Sequence, residues 1–302
     1  MIPKGGIAFF DSGIGGLTVL EECRKYLPKE LFYYYGDNSY APYGNRPTKV
    51  IIKRVKKAMR LFSRLKVKAV VLACNTATAV CIDKLRKKYS FPIIGTEPAV
   101  QLGARMGGEV FVLVTKATHQ SQRFHSLCKI VTEKYPQAKI RAFACEHLAG
   151  AIEKNIATGN FDYDRYLPNG RPNVVVLGCT HYVYIKRQIA EKYHCITVDG
   201  NEGVARRLQA VLKNNKNIRA RTCKMSKNSF LQPFLTTTRK KRKGVNKRLP
   251  KKDKNCLKNE GGVNVLFVGK TKGFNAKAHK QMFGFAKNGR KYIFSGQKNK
   301  KN

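Results

Sequence analysis

The stretch VVVLGCTHYVY, Val174 to Tyr184, carries an uninterrupted apolar run straight into Gly178-Cys179-Thr180-His181. Such a run, bounded by a glycine, reads as a strand covered on both faces, as a parallel sheet flanked by helices requires. The turn after it gathers a thiol, a hydroxyl and an imidazole, and a helix is predicted to begin there. Taken alone, Cys179 reads as a small buried hydrophobe. A second copy of the pattern changes that reading. VVLACNT, Val70 to Thr76, places Cys74 105 residues before Cys179, and the strand ends at Asp11 and Thr115 are offset by 104. Two anchors at nearly one spacing indicate a duplicated α/β unit. Two such units facing each other set Cys74 opposite Cys179, at the carboxyl ends of strands where open α/β sheets bind ligands.

The rest of the chain extends the same alternation. GIAFFDSG, LFYYYGD, KAVVLACNT, FPIIGT, EVFVLVTKAT, KIRAFAC, NVVVLGCTHY and CITVDG read as strands, each followed by a helix-like segment. The predicted class is α/β, with two similar doubly wound parallel-sheet domains facing across a cleft and a basic C-terminal extension.

Composition bounds the function. The 302 residues suffice for two ordinary domains, and 42% hydrophobic content supports a real core. Nine cysteines with no C-x-x-C spacing argue against a disulfide framework and against a zinc site, so no metal is expected. The apolar run in MIPKGGIAFFDSG is too short for a signal peptide or membrane span. A reducing cytoplasmic location and no membrane association are the expectations. The net charge is +42, and from Lys213 onward 27 Lys and Arg stand against two acids. RKKRKGVNKRLPKKDK, Arg239 to Lys254, has the composition of a solvated basic arm. It carries no aromatic residue on which bases would stack. Nonspecific nucleic-acid binding by this tail is one reading, and a compositional bias without a partner is the other.

Two thiols on opposite faces of a small substrate can invert a carbon acid. One thiolate removes a proton while the opposite thiol delivers one to the other face. Holding a thiol of pKa near 8.5 ionised at neutral pH costs roughly 2 kcal/mol. A helix N-terminus beside each cysteine offsets that cost. His181 is placed to exchange a proton with Cys179, and Asp11, ending the strand beside that of Cys74, to assist Cys74. A rival reading takes DSGIGGLTV, Asp11 to Val19, with Asp37 ending the next strand, as a dinucleotide fingerprint. The pattern is incomplete, because Thr18 stands where the third glycine belongs.

Four motifs together, FDSGIGGLTVL (Phe10–Leu20), YGDNSYAPYG (Tyr35–Gly44), VLACNTAT (Val71–Thr78) and VVLGCTHY (Val175–Tyr182), resemble the glutamate racemases of the aspartate/glutamate racemase family. The resemblance spans about residues 5 to 212. It implies a cofactor-independent isomerase that interconverts L- and D-glutamate and supplies the D-isomer for peptidoglycan synthesis. Carried over by motif, Cys74 takes the α-proton from D-glutamate and Cys179 from L-glutamate, with Asp11 assisting the first and His181 the second. Substrate contacts fall on Asp11, Ser12, Tyr43, Gly44, Asn75, Thr76, Cys179 and Thr180, with Thr118 and Glu153 as further site residues. The resemblance further implies a first domain of 1–98 plus about 209–302 and a second of 99–208, with 222–262 as a basic, partly disordered insertion. A homodimer is compatible with it. The alternatives are racemisation of a related amino acid such as aspartate, or a racemase-like scaffold whose tail binds nucleic acid.

Overall fold

A computed structural model describes residues 5–156, 162–214, 263–268 and 290–295, the last two segments as backbone only. The first half of the chain builds β1 (Ile7–Asp11), α1 (Leu17–Tyr26), β2 (Phe32–Gly36), α2 (Thr48–Arg64), β3 (Ala69–Leu72), α3 (Asn75–Lys88) and β4 (Ile93–Gly95). There follow α4 (Val100–Arg105), β5 (Gly108–Val114), α5 (Lys116–His119), α6 (Gln122–Lys134), β6 (Ala138–Ala144) and α7 (Leu148–Asn155). The second half closes with β7 (Val174–Leu177), α8 (Lys186–Tyr193), β8 (Ile196–Asp199) and α9 (Asn201–Asn214), and β9 (Val263–Val268) and β10 (Arg290–Ser295) come last.

Two sheets result, and every pairing in them is parallel. Their orders are β10-β9-β2-β1-β3-β4 and β6-β5-β7-β8. Set side by side, β2-β1-β3-β4 and β6-β5-β7-β8 are one arrangement repeated. β3, which ends before Cys74, therefore corresponds to β7, which ends before Cys179. β9 adds itself to the outer edge of β2, with Phe32 opposite Val263.

Strands β1, β2, β3 and β7 are buried on both faces, which is why they read as unbroken apolar runs. Ile7 and Phe9 of β1 point with Phe32, Tyr34 and Val71 into a core under α1 and α9. Ala8 and Phe10 point the other way, with Tyr35, Val70 and Leu72, under α2 and α3. In the second sheet Phe111, Leu113, Val175 and Leu177 meet α7 and α8, while Val110, Val112, Val174 and Val176 meet α4 and α6. α9 leaves the second sheet and packs Val204, Ala205, Leu208 and Leu212 into the first-sheet core. Segment 222–262 and the basic run 239–254 lie outside the described residues.

One local expectation is corrected. No α-helix begins at Cys179; a short 3-10 turn, Tyr182–Ile185, intervenes and α8 starts at Lys186. Aromatic anchors hold the turn in place. The Tyr182 hydroxyl donates to the Cys145 carbonyl at 3.2 Å, and that of Tyr184 to the Ile14 carbonyl at 2.9 Å. Those hydrogen bonds tie the turn to two neighbouring segments, a constraint that helical spacing does not encode.

Candidate active site

The carboxyl ends of β1, β2 and β3 deliver Asp11-Ser12, Asp37-Asn38 and Cys74-Asn75-Thr76 to one wall. The ends of β5 and β7 deliver Thr115 and Cys179-Thr180-His181 to the other. Cys74 caps α3, with the Ala77 amide donating to its Sγ at 3.5 Å and the Ser12 hydroxyl 3.7 Å away. Cys179 Sγ lies 3.9 Å from His181 Nδ1, and His181 Nε2 lies 2.8 Å from Glu153 Oε2 on α7. Glu153 Oε1 in turn accepts from the Asn38 side chain at 3.2 Å. Each thiol thus has its own polar support, and the two supports come from different elements.

Direct contacts join the walls. Thr180 Oγ1 donates to Asp11 Oδ2 at 3.2 Å, while the Gly13 amide holds Oδ1 at 2.8 Å. The Thr76 hydroxyl lies 2.9 Å from that of Thr115 and 3.3 Å from that of Thr118. Both cysteines are all but closed from solvent, Cys74 at 5% and Cys179 at 6% exposure. An open cleft of about 590 Å³ lies outside them; Gly44, Asn45, Lys116, Glu146 and His147 line it, and neither cysteine does. The chemistry-bearing groups therefore sit behind a closed seam rather than in that cleft.

Electrostatics follow from this burial. Burial pushes the Cys74 thiol up, and the Asp11 carboxylate and Cys179 add to the push against the Ala77 amide. Burial also raises Asp11, opposed by His181 and by the Gly13 amide. For His181 burial opposes the charged ring, but hydrogen bonds to Cys179 and Glu153 outweigh it and hold the ring well above its ordinary value.

The structure gathers Asp11, Ser12, Cys74, Asn75, Thr76, Thr118, Glu153, Cys179, Thr180 and His181, all buried apart from half-buried Glu153. Tyr43 and Gly44 lie on a 3-10 turn, Tyr43–Asn45, at the edge of the seam. A Cβ on Gly44 would stand 2.8 Å from that of Thr115.

Sequence reading missed three contributors. Thr115 joins the hydroxyl cluster; it occupies in the second unit the place of Asp11, and the 104-residue offset was its signal. Asn38 reaches Glu153 from the opposite half, and nothing local announces that. Asp37 is engaged by the Tyr43 hydroxyl at 2.6 Å and by the Arg54 guanidinium, Nε at 2.7 Å, so it anchors the turn. That engagement removes the acid a dinucleotide ribose needs. The loop glycines have another use as well. Cβ atoms on Gly13 and Gly15 would collide with Glu153 and with Thr180 and His181.

A family model described as Asp/Glu/Hydantoin racemase matches residues 18–208. A curated glutamate racemase from Clostridium botulinum (strain Kyoto / Type A2) is 38% identical over 225 residues, 70% of this chain and 86% of that protein. One from Clostridium kluyveri is 37% identical over 220 residues, 68% of this chain and 83% of that protein. The crystal structure of Escherichia coli glutamate racemase in complex with L-glutamate and the activator UDP-MurNAc-ala matches with TM-score 0.63 and 29% identity, over 70% of this chain and 84% of that one. The Francisella tularensis glutamate racemase in complex with D-glutamate matches in fold, with TM-score 0.67 and 21% identity over 96% and 97% of the two chains.

Proposed function

Because the chain belongs to the Asp/Glu/hydantoin racemase family, and is on that ground an isomerase, we propose that it interconverts L- and D-glutamate by a two-thiol mechanism without a cofactor. The observation that carries this reading is the pairing of Cys74 and Cys179 at the ends of corresponding strands, each with separate support for its proton.

From L-glutamate, the Cys179 thiolate takes the α-proton and leaves a carbanion. The Cys74 thiol gives its proton to the opposite face, so the product is D-glutamate, a Cys74 thiolate and a protonated Cys179. The reverse direction exchanges the roles. His181 holds the proton of Cys179 before the reaction, as an imidazolium backed by Glu153. Asp11 does the corresponding work for Cys74. The hydroxyls of Ser12, Thr76, Thr118 and Thr180, with the backbone of Tyr43 and Gly44, receive the two carboxylates. Asn75 Oδ1, buried and without a hydrogen-bond partner among the described residues, suits the substrate ammonium.

We place this activity in the cytoplasm and in the supply of D-glutamate for peptidoglycan. The two sheets are proposed as two domains, 1–98 with about 209–302 and 99–208, with α9 at the crossing between them. No helix among the described residues is long and apolar enough to cross a membrane. Circular dichroism of the purified protein with each glutamate enantiomer, without added cofactor or metal, tests the assignment. Decay of either signal to zero is the expected result. A signal unchanged with both enantiomers, from folded protein, refutes it.

A further inference from the structure

α2 is 17 residues long and contains no acid. Its apolar stripe, Ile51, Val55, Met59 and Phe62, packs into the sheet. The opposite face exposes Lys49, Lys53, Lys56, Lys57, Arg60 and Arg64, none with a carboxylate partner among the described residues. α3 lies alongside and adds exposed Lys84, Lys87 and Lys88. Its single acid, Asp83, is taken by Arg123 at 2.9 Å. Lys56 and Lys84 both act on Cys81, buried in the core beneath these two helices, so the two cationic sets are continuous.

A chain-wide excess of lysine does not account for this face. α6, α8 and α9 are basic too, yet each of them, like α1, carries its own acid in helical register. Glu21 pairs with Arg24, Glu133 with Lys129, Glu191 with Arg187 and Glu202 with Arg206. Self-neutralisation is absent on α2 and its neighbour, where like charges at i,i+4 repel and cost helix stability. Lys49, Lys53 and Lys57 stand in that relation, as do Lys56, Arg60 and Arg64. A rigid ridge about 25 Å long therefore carries uncompensated positive charge.

We propose that the α2–α3 face docks the phosphate backbone of double-stranded nucleic acid. A duplex presents about one phosphate charge per 1.7 Å of axis, and a row of lysines along it releases counterions. The chemistry of the face argues against other polyanions. The exposed large hydrophobic residues among the described residues are Tyr40, Leu102, Met106, Ile130 and Ile196, and none lies on α2 or α3 to insert into a bilayer. Tyr89 and Phe91, at the end of α3, stack on each other with ring centroids 5.3 Å apart, which leaves no platform for single-stranded bases.

The test compares two quadruple variants of the full chain, by fluorescence anisotropy with a duplex DNA of about 20 base pairs across a salt series. One carries Lys53→Gln, Lys56→Gln, Lys57→Gln and Arg60→Gln. The other removes the same charge elsewhere, by Lys29→Gln, Arg105→Gln, Lys139→Gln and Arg171→Gln. Gln keeps helix propensity, and a melting curve checks that both variants fold. The α2 variant is expected to bind at least about tenfold more weakly, with its salt slope reduced by about three to four, and the control to change less than about threefold. Equal losses in the two variants overturn the proposal. So does a preference for single-stranded DNA, or equal α2-dependent binding to phosphatidylserine vesicles.

Discussion

Cys74 and Cys179 differ in what stands behind them, and that difference is testable at single residues. In the proposed mechanism, replacing either thiol by a hydroxyl removes one of the two acid–base groups. Cys74→Ser and Cys179→Ser are each expected to lower two-way racemisation by at least about 10²-fold, in line with the usual worth of general acid–base catalysis. The surviving thiol still works alone. In D₂O, Cys74→Ser should exchange the α-proton of L-glutamate and Cys179→Ser that of D-glutamate, read by proton NMR. Near-normal racemisation in either variant rules the mechanism out.

At the scale of elements, the loop from β1 into α1 is one place where the two halves touch. A methyl group on Gly15 would lie 2.7 Å from His181 Nδ1 and closer still to Thr180 Oγ1. Gly15→Ala must therefore push back the turn that carries Thr180 and His181. Overpacking of this kind costs about 1–3 kcal/mol, which leaves a two-sheet protein folded. The expected outcome is a kcat reduced at least about tenfold with a modest drop in urea midpoint, since small misplacements of reacting groups cost about that much or more. Unchanged kcat would mean that the seam is looser than its contacts indicate. The central strands were legible in the sequence because a strand covered on both faces has to be apolar throughout. The 3-10 turn at Tyr182–Ile185 was not, because its shape is set by tyrosine hydroxyls reaching Cys145 and Ile14, far away in sequence.

For the whole molecule, the Thr180–Asp11, Asn38–Glu153 and Thr76–Thr115 contacts close the seam over both thiols. Substrate entry requires the halves to part and closure on substrate to restore these contacts. Glutamate at about 100 times its Kd is expected to stabilise the native state by about 2.7 kcal/mol. It should also slow amide exchange in the Tyr43–Asn45 turn and in α5, which flank the seam. Stabilisation without protection at those segments would move the binding site elsewhere.

The sequence by itself determined the α/β class, the duplication and the two cysteines. Each is written in local pattern: apolar runs, glycine-bounded strand ends, and one spacing used twice. It also carried Asp11, Thr76, Thr180 and His181, because strand ends in such sheets converge. Only the tertiary structure decided which groups support which thiol. Glu153 reaches His181 from another helix, Asn38 reaches Glu153 from the other half, and Asp37 is held by Tyr43 and Arg54. Those partners are far apart along the chain or lie on different elements. The meeting of Asn38 with Glu153 depends on how the two sheets are set against each other, and the other contacts on how helices and turns pack within one half; no local periodicity records either.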